Sequence, residues 1–338
     1  MLQSAPVAGF LLLFCQCTFR MLQLPFVREQ FQQFLMSCLF IIRHSGDDII
    51  QVFPWVYIMC LTGGQQGADD RHTDCRLMVA AQYRQRNRAL YFEELAITSR
   101  KYFIPYISKF KEIKQQKSVL EIGCGDGGNL LPFAELGCNT IGIDLSKTRI
   151  NDAKSFFQER GMKGVFIWDN IFNIDSFNKK FDIIICHDVF EHIYDKGLFL
   201  KQLRKYITDG GIIFMSFPAW QMPFGGHQQI CKSQFLSHLP FIHLLPNILY
   251  KYVLNIFGEN KDCINELLGI KKTRLTIETF ESLLQKEDIQ IIDKQFYFIN
   301  PHYETKFNLR PRKLYNFIGK IPSIRNFFTT SCFYILSF

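Results

Sequence analysis

The 338-residue chain carries 11 cysteines but no C-x-x-C pair and no Cys/His cluster at zinc-ligand spacing. That excludes a zinc-ribbon framework, and no metal centre is expected. Cysteines scattered this irregularly read as reduced thiols of a cytosolic protein, not as a disulfide scaffold. The chain also lacks any uninterrupted apolar run near the ~18 residues of a membrane span. No Lys or Arg precedes the first apolar burst, Val7 to Cys15, so a secretory signal has no support. Nucleic acid is not an expected partner, because neither a basic stripe nor an RNA-binding module is present. What the chain does have is 48% hydrophobic residues, 35 of its residues being Phe, and a formal charge of +8. The hydrophobic content is ample for a core, and the charge is a modest bias toward an acidic partner or surface.

The most informative stretch is Val119-Leu-Glu-Ile-Gly-Cys-Gly-Asp-Gly-Gly128. A short apolar run stops at the spaced glycines Gly123, Gly125 and Gly128, and a helical pattern follows. Glycines permit a turn this sharp and let a ligand approach the main chain, while the free N–H groups of the next helix start face it. Taken alone the spacing is weak, since a plain tight turn also produces it. Sixteen residues beyond Gly128, the run Asn139 to Asp144 reads as a second strand ending in a carboxylate suited to both hydroxyls of a ribose. Gly164 to Asp169 is a third strand ending in an acid, and Phe181 to Cys186 is a fourth, followed by His187-Asp-Val-Phe-Glu-His192. Gly211 to Phe217 is a fifth. Five such strands separated by helices predict a parallel sheet covered on both faces.

From Ser118 to Phe217 these motifs resemble the class I S-adenosylmethionine (SAM)-dependent methyltransferases, especially their small-molecule group. The resemblance implies an α/β fold: a Rossmann-like, seven-stranded, mostly parallel sheet with helices on both faces and helical cap insertions. It implies SAM as cofactor and S-adenosylhomocysteine (SAH) as product. Glu121 and the backbone of Gly123, Cys124 and Gly125 would meet the methionine end, with Gly125 and Gly128 leaving room for close approach. Asp144, with Leu145 beside it, would hold the ribose. Asp169 would accept from the adenine amino group next to Asn170 and Ile171, and His187 would line the cofactor. Each acid also has a plainer reading as a helix N-cap or a solvated strand end.

Methyl transfer mainly needs an aligned nucleophile and a dry site; a general base is needed only when the nucleophile arrives protonated. The catalytic candidates are His227, in the loop Pro218 to Gln229, with His192 and Asp188. An exposed loop histidine, or a helix-start role for Glu191 and His192, is the plainer alternative. The expected activity is methylation, at oxygen, of a small-molecule, lipid-linked or glycan-linked acceptor. An NAD(P)-dependent oxidoreductase competes, because three spaced glycines and a distal acid serve a dinucleotide equally well. Glu121, Asp126, Asp169 and the His187 to His192 motif speak against it. A non-catalytic SAM-binding or membrane-docking protein is the third reading.

Residues 1–77 do not look like part of an enzyme. They are expected to be an extension arising from gene prediction or cloning, with the functional chain starting near Met78; a membrane-associating segment or an extra ordered layer competes. Residues 78–117 predict an N-terminal helical cap, and the resemblance implies that it closes over the cofactor and substrate, so that Tyr83, Arg84 and Tyr91 would be placed to touch a ligand. Residues 118–338 form the cofactor-binding domain, with a cap insertion at 218–275 whose apolar spacing suits either a lid or a lipid-facing surface. Ile289 to Ile299 and Cys332 to Leu336 read as a sixth and a seventh strand, which the resemblance implies form an antiparallel pair. Between them, residues 300–330 read as a basic loop holding six Lys or Arg against Glu304 alone, fit for an anionic acceptor or membrane surface. The expected location is cytoplasmic, with peripheral membrane contact.

Overall fold

The computed structural model describes residues 87–174, 177 and 179–338. The expectations for residues 1–77, Met78, Tyr83 and Arg84 lie outside the described residues. The strands are β1 (Ser118–Ile122), β2 (Asn139–Asp144), β3 (Val165–Trp168), β4 (Phe181–His187), β5 (Ile207–Phe217), β6 (Gln290–Ile299), β7 (Arg312–Lys313) and β8 (Ser331–Ser337). They form one sheet in the order β3-β2-β1-β4-β5-β8-β6-β7. The five strands from β1 to β5 pair in parallel, whereas β8 runs antiparallel to β5 and β6. The chain order reverses between β1 and β4, and a crevice opens at such a switch point beyond the strands' carboxyl ends. The sheet has eight strands, one more than expected. The addition is β7, a two-residue edge pairing with β6 that arises inside the segment read as a basic loop.

Continuous apolar runs mark strands covered on both faces, and Ile183, Ile184 and Ile185 of β4 are all fully buried. Helix α1 (Arg88–Thr98) is N-capped by Asn87, whose side chain accepts from the Leu90 N–H at 3.1 Å. It continues through a π-helical turn, Ser99–Phe103, into Ile104–Ile107. Phe103 from that turn packs on Phe214 and Phe333, so part of the chain's large Phe content fills one face of the sheet. Helices α2 (Lys147–Glu159) and α3 (Lys196–Tyr206) are capped by Ser146 and Asp195.

The insertion after β5 is helical, as its spacing predicts, with α4 (Asn247–Ile256) and α5 (Lys261–Thr273). It has its own small core, in which Leu236, Ile242, Tyr250, Leu254 and Leu267 meet. Helix α6 (Ile277–Lys286) follows, capped by Thr276 as expected, with the Thr279 N–H 3.0 Å from its hydroxyl. Residues 300–330 are not a loop. They hold α7 (His302–Phe307), β7 and two short helical turns, because their basic residues are partly consumed inside the fold: Arg325 is 8% exposed and pairs with Glu278 and Glu281. The six cysteines among the described residues are free thiols. No helix there is long and apolar enough to cross a membrane.

Candidate active site

The glycine turn after β1 is tied to β2 by the N–H groups of Gly123 and Cys124, which donate to the Ile143 carbonyl at 2.8 and 3.0 Å. Gly123 has φ +72°, and a Cβ there would lie 2.2 Å from Val189 Cγ2. Glycine is thus needed both for the backbone angle and for the approach of the segment after β4. At Gly128 a Cβ would meet the Phe92 carbonyl oxygen at 2.4 Å. This corrects the expectation that Gly128 makes room for a ligand: the space is taken by α1.

Carboxylates ring this turn. Glu121 is 1% exposed, accepts one hydrogen bond from Asn129 Nδ2 at 2.8 Å through Oε1, and has no partner at Oε2. Burial, reinforced by the charge of Asp144 and opposed by the Asn129 hydrogen bond, pushes its carboxyl up to about 8. Asp144 accepts from Gly125 N–H at 2.9 Å and from Ser146 N–H at 2.8 Å, one bond on each oxygen, so each keeps a lone pair for a further donor. Asp126 takes the Arg88 guanidinium at 2.7 Å, and the same guanidinium reaches Asp152 at 2.9 Å, so Arg88 staples α1 to the turn and to α2. Nothing in the sequence pattern singled out Arg88.

Farther along the edge, Asp169 accepts from the Asn170 N–H at 2.6 Å and from Asn173 Nδ2 at 2.9 Å, so it caps its own turn. Asn170 accepts from the Phe172 N–H at 3.1 Å, and Ile171 is buried. Between the ends of β2 and β3, Leu145 and Trp168 form an exposed apolar ledge, held by the Trp168 indole donating to the Leu145 carbonyl at 3.0 Å.

On the other side of the switch point stand the residues that follow β4. His187 is fixed by Ser216 Oγ at 2.9 Å from its Nδ1 and by Phe103 packing edge-on at 4.9 Å. Asp188 (φ +52°) and His227 (φ +57°) both adopt the left-handed backbone that non-glycine residues rarely take, a form of strain that concentrates at functional sites. The His192 and His227 rings meet edge to face at 4.9 Å. Burial lowers the pKa of both imidazoles; the facing His227 lowers that of His192 further, while Asp188 opposes the shift in each, and both rings are neutral at physiological pH. Tyr91 from α1 and Tyr303 from α7 face the same edge, and burial followed by the charge of Asp188 pushes each phenol up to about 12. Tyr303 is one of the aromatics interleaved in the segment read as a basic loop beside this edge, and it lies in α7.

One sheet edge therefore gathers Glu121, the glycine turn and Asp144 on one side of the crevice and His187, Asp188, His192 and His227 on the other, with Asp169 beyond. A parallel sheet with this switch point and an antiparallel strand inserted between β5 and β6 is the class I methyltransferase fold. The chain belongs to the methyltransferase domain family, whose model matches residues 113–295. That family uses SAM as methyl donor.

The chain is 29% identical to an uncharacterized protein of Rickettsia prowazekii over 201 residues, covering 55% of this chain and 35% of that one. It is 30% identical over 116 residues to the ubiquinone biosynthesis O-methyltransferase of Rickettsia conorii, covering 33% of this chain and 40% of the relative. These matches span less than half the length of either relative. Among solved structures, the plantazolicin methyltransferase BpumL in complex with a triazolic desmethylPZN analog and SAH is similar at 17% identity and a TM-score of 0.44, over 84% of this chain and 92% of that one.

Proposed function

We propose that the chain transfers the methyl group of SAM to a hydroxyl oxygen of a small-molecule, lipid-linked or glycan-linked acceptor. The carrying observation is the pairing, at one crevice, of a buried Glu121 oxygen without a donor and an Asp144 with lone pairs to spare, on either side of a glycine turn. The first suits the ammonium of an amino-acid end, the second the hydroxyls of a ribose. Glu121, Gly123, Cys124, Gly125, Asp144 and Leu145 would hold the cofactor, with Asp169, Asn170 and Ile171 toward its base and His187 beside its sulfur. When bound, SAM supplies a methyl carbon activated by a positive sulfur. The acceptor oxygen bonds to that carbon as the carbon–sulfur bond breaks; the sulfur keeps the electron pair, and the hydroxyl's proton must leave. His192, His227 and Asp188 would line the path by which that proton leaves, and Tyr91 and Tyr303 would flank the acceptor.

Oxygen as the acceptor atom is supported by the relatives named as ubiquinone biosynthesis O-methyltransferases. A lipid-linked acceptor is supported by the outer face of the cap helix α4, where Ile248, Leu249, Tyr252 and Ile256 are exposed around Lys251. That face, with its cationic Lys251, would suit the surface of an anionic bilayer and supports a peripheral membrane contact. Membership of the methyltransferase domain family disfavours the dinucleotide reading.

Calorimetric titration of the full chain with SAM, SAH and NAD tests the cofactor. SAM and SAH should bind at micromolar concentrations, NAD should not, and Asp144→Ala should weaken SAM binding by roughly 10- to 100-fold, the loss of hydrogen bonds to two hydroxyls. Tight NAD binding, or a folded protein that ignores SAM, would overturn the reading.

A further inference from the structure

Glu191, His192 and His227 each offer a ligand atom, and the three atoms lie within 4.8 Å of one another. We propose that they form a binding site for a divalent transition-metal ion at the mouth of the crevice, a 2-His-1-carboxylate set that takes zinc, cobalt, manganese or iron in preference to magnesium or calcium.

Three observations converge. Glu191 is 5% exposed, and neither of its carboxylate oxygens accepts a hydrogen bond. A buried carboxylate left without donors is costly, so such a group either takes up a proton or is paired with a cation or a metal ion. The ammonium best placed to pair with it, Lys196, donates instead to the carbonyls of Ile193 and Thr273 at 2.6 and 2.7 Å. The nearest basic atom recorded is His192 Nε2, at 3.9 Å.

The second observation is the imidazole pair. His192 and His227 present their rings to each other at 4.9 Å, and neither nitrogen pair is spent on a carbonyl in the way that His243 Nε2 is spent on Trp220 at 2.8 Å. The third is the backbone that delivers His227. Its left-handed φ follows Gly226, where a Cβ would lie 2.1 Å from the His243 Cβ, so the strained turn is wedged in one position against the cap.

Metal bonds of about 2.0–2.2 Å to nitrogen and oxygen place neighbouring ligand atoms roughly 3 Å apart, so the widest separation in the triad needs to contract by up to about 2 Å through side-chain rotation. Two imidazoles and one carboxylate select borderline metals over hard cations that demand oxygen alone. Three protein ligands would leave positions open, and the His192 side chain is 40% exposed, so solvent can reach the cluster. Sequence spacing hides the set, because His227 lies thirty-five residues beyond His192 and on a different element.

The site deepens the methyl-transfer reading, and its catalytic meaning rests on that reading: an acceptor hydroxyl bound at an open position loses its proton to solvent more readily, as metal-bound water does. The binding of metal does not rest on it. The test uses the full chain, freed of metal by chelation and then titrated with Co2+, read by its visible ligand-field bands, and with Zn2+, read by calorimetry. One ion per chain is expected at micromolar concentration or tighter. Glu191→Gln and His227→Ala should each weaken it at least 10-fold while SAM still binds, which shows the variants are folded; His238→Ala, outside the triad, should change nothing. A folded wild type that takes up no Co2+ or Zn2+, or triad variants that bind like wild type, would overturn the proposal. Metal binding without SAM binding would sink the methyl-transfer reading and leave the metal site standing.

Discussion

At the scale of single residues, the most telling group is Glu121. A carboxyl raised to about 8 by burial is mostly protonated at pH 7 in the free protein. A cation placed at its unpaired oxygen favours the ionised form and drives the proton off. Binding of SAM, whose amino-acid end carries an ammonium, is therefore predicted to release most of one proton at pH 7, and its affinity should rise with pH toward about 8, above which the ligand's own α-amino group loses the proton that Glu121 would meet. Calorimetry at pH 7 in two buffers of different ionisation enthalpy measures the release directly. Glu121→Gln, which cannot ionise, should abolish both the release and the pH dependence. If the variant releases as many protons as the wild type, the ammonium is held elsewhere.

At the scale of elements, the cap helix α4 has two apolar faces. Tyr250, Val253 and Leu254 are buried in the cap core, whereas Ile248, Leu249, Tyr252 and Ile256 point outward. Replacing Ile248 and Ile256 by Glu is predicted to abolish co-sedimentation with vesicles of mixed neutral and anionic phospholipid. The unfolding free energy should change by no more than about 0.5 kcal/mol, the usual range for surface positions. Binding that survives the double change would assign membrane contact to another element or to none. The sequence made α4 legible as a helix, but which face turns outward depends on α5 packing behind it. Strands β1, β2, β4 and β5 were equally legible, because buried apolar runs ending in glycine or an acid have few other readings. By contrast, β7 is two exposed basic residues with no hydrophobic signal, and α7 is a short polar turn, so neither could be seen. The site was half legible: each of Glu121, Asp144, His187, His192 and His227 stood out by its position after a strand or in the cap loop. That His192 and His227 meet, that Gly128 makes room for α1 and that Arg88 staples that helix to the turn all follow from long-range packing that no local pattern encodes.

At the scale of the whole molecule, the last forty residues lock the sheet. Strand β8 threads between β5 and β6, and the segment before it is clamped to α6 by Arg325, which donates to Glu278 at 2.8 Å and to Glu281 at 3.0 Å. Burial alone would raise both carboxyls. Hydrogen bonds from the Ser323 N–H and Asn326 to Glu278, the Lys294 ammonium beside Glu281, and Arg325 on both hold them below the ordinary glutamate value instead. Groups whose folded pKa is lowered contribute stability that is full above their unfolded value, about 4.3, and that drains away as pH falls through the folded one. Arg325→Ala is predicted to cost about 2 kcal/mol at pH 7, below the range for a fully buried pair because both carboxylates are partly exposed. Near pH 3.5 the gap between variant and wild type should narrow, since the wild-type carboxylates are then taking up protons and the guanidinium has less charge to meet. Urea denaturation of both proteins at the two pH values measures it. An equal gap at both would mean that Arg325 acts by filling space against Phe296, whose ring lies 5.6 Å from the guanidinium, and not by its charge.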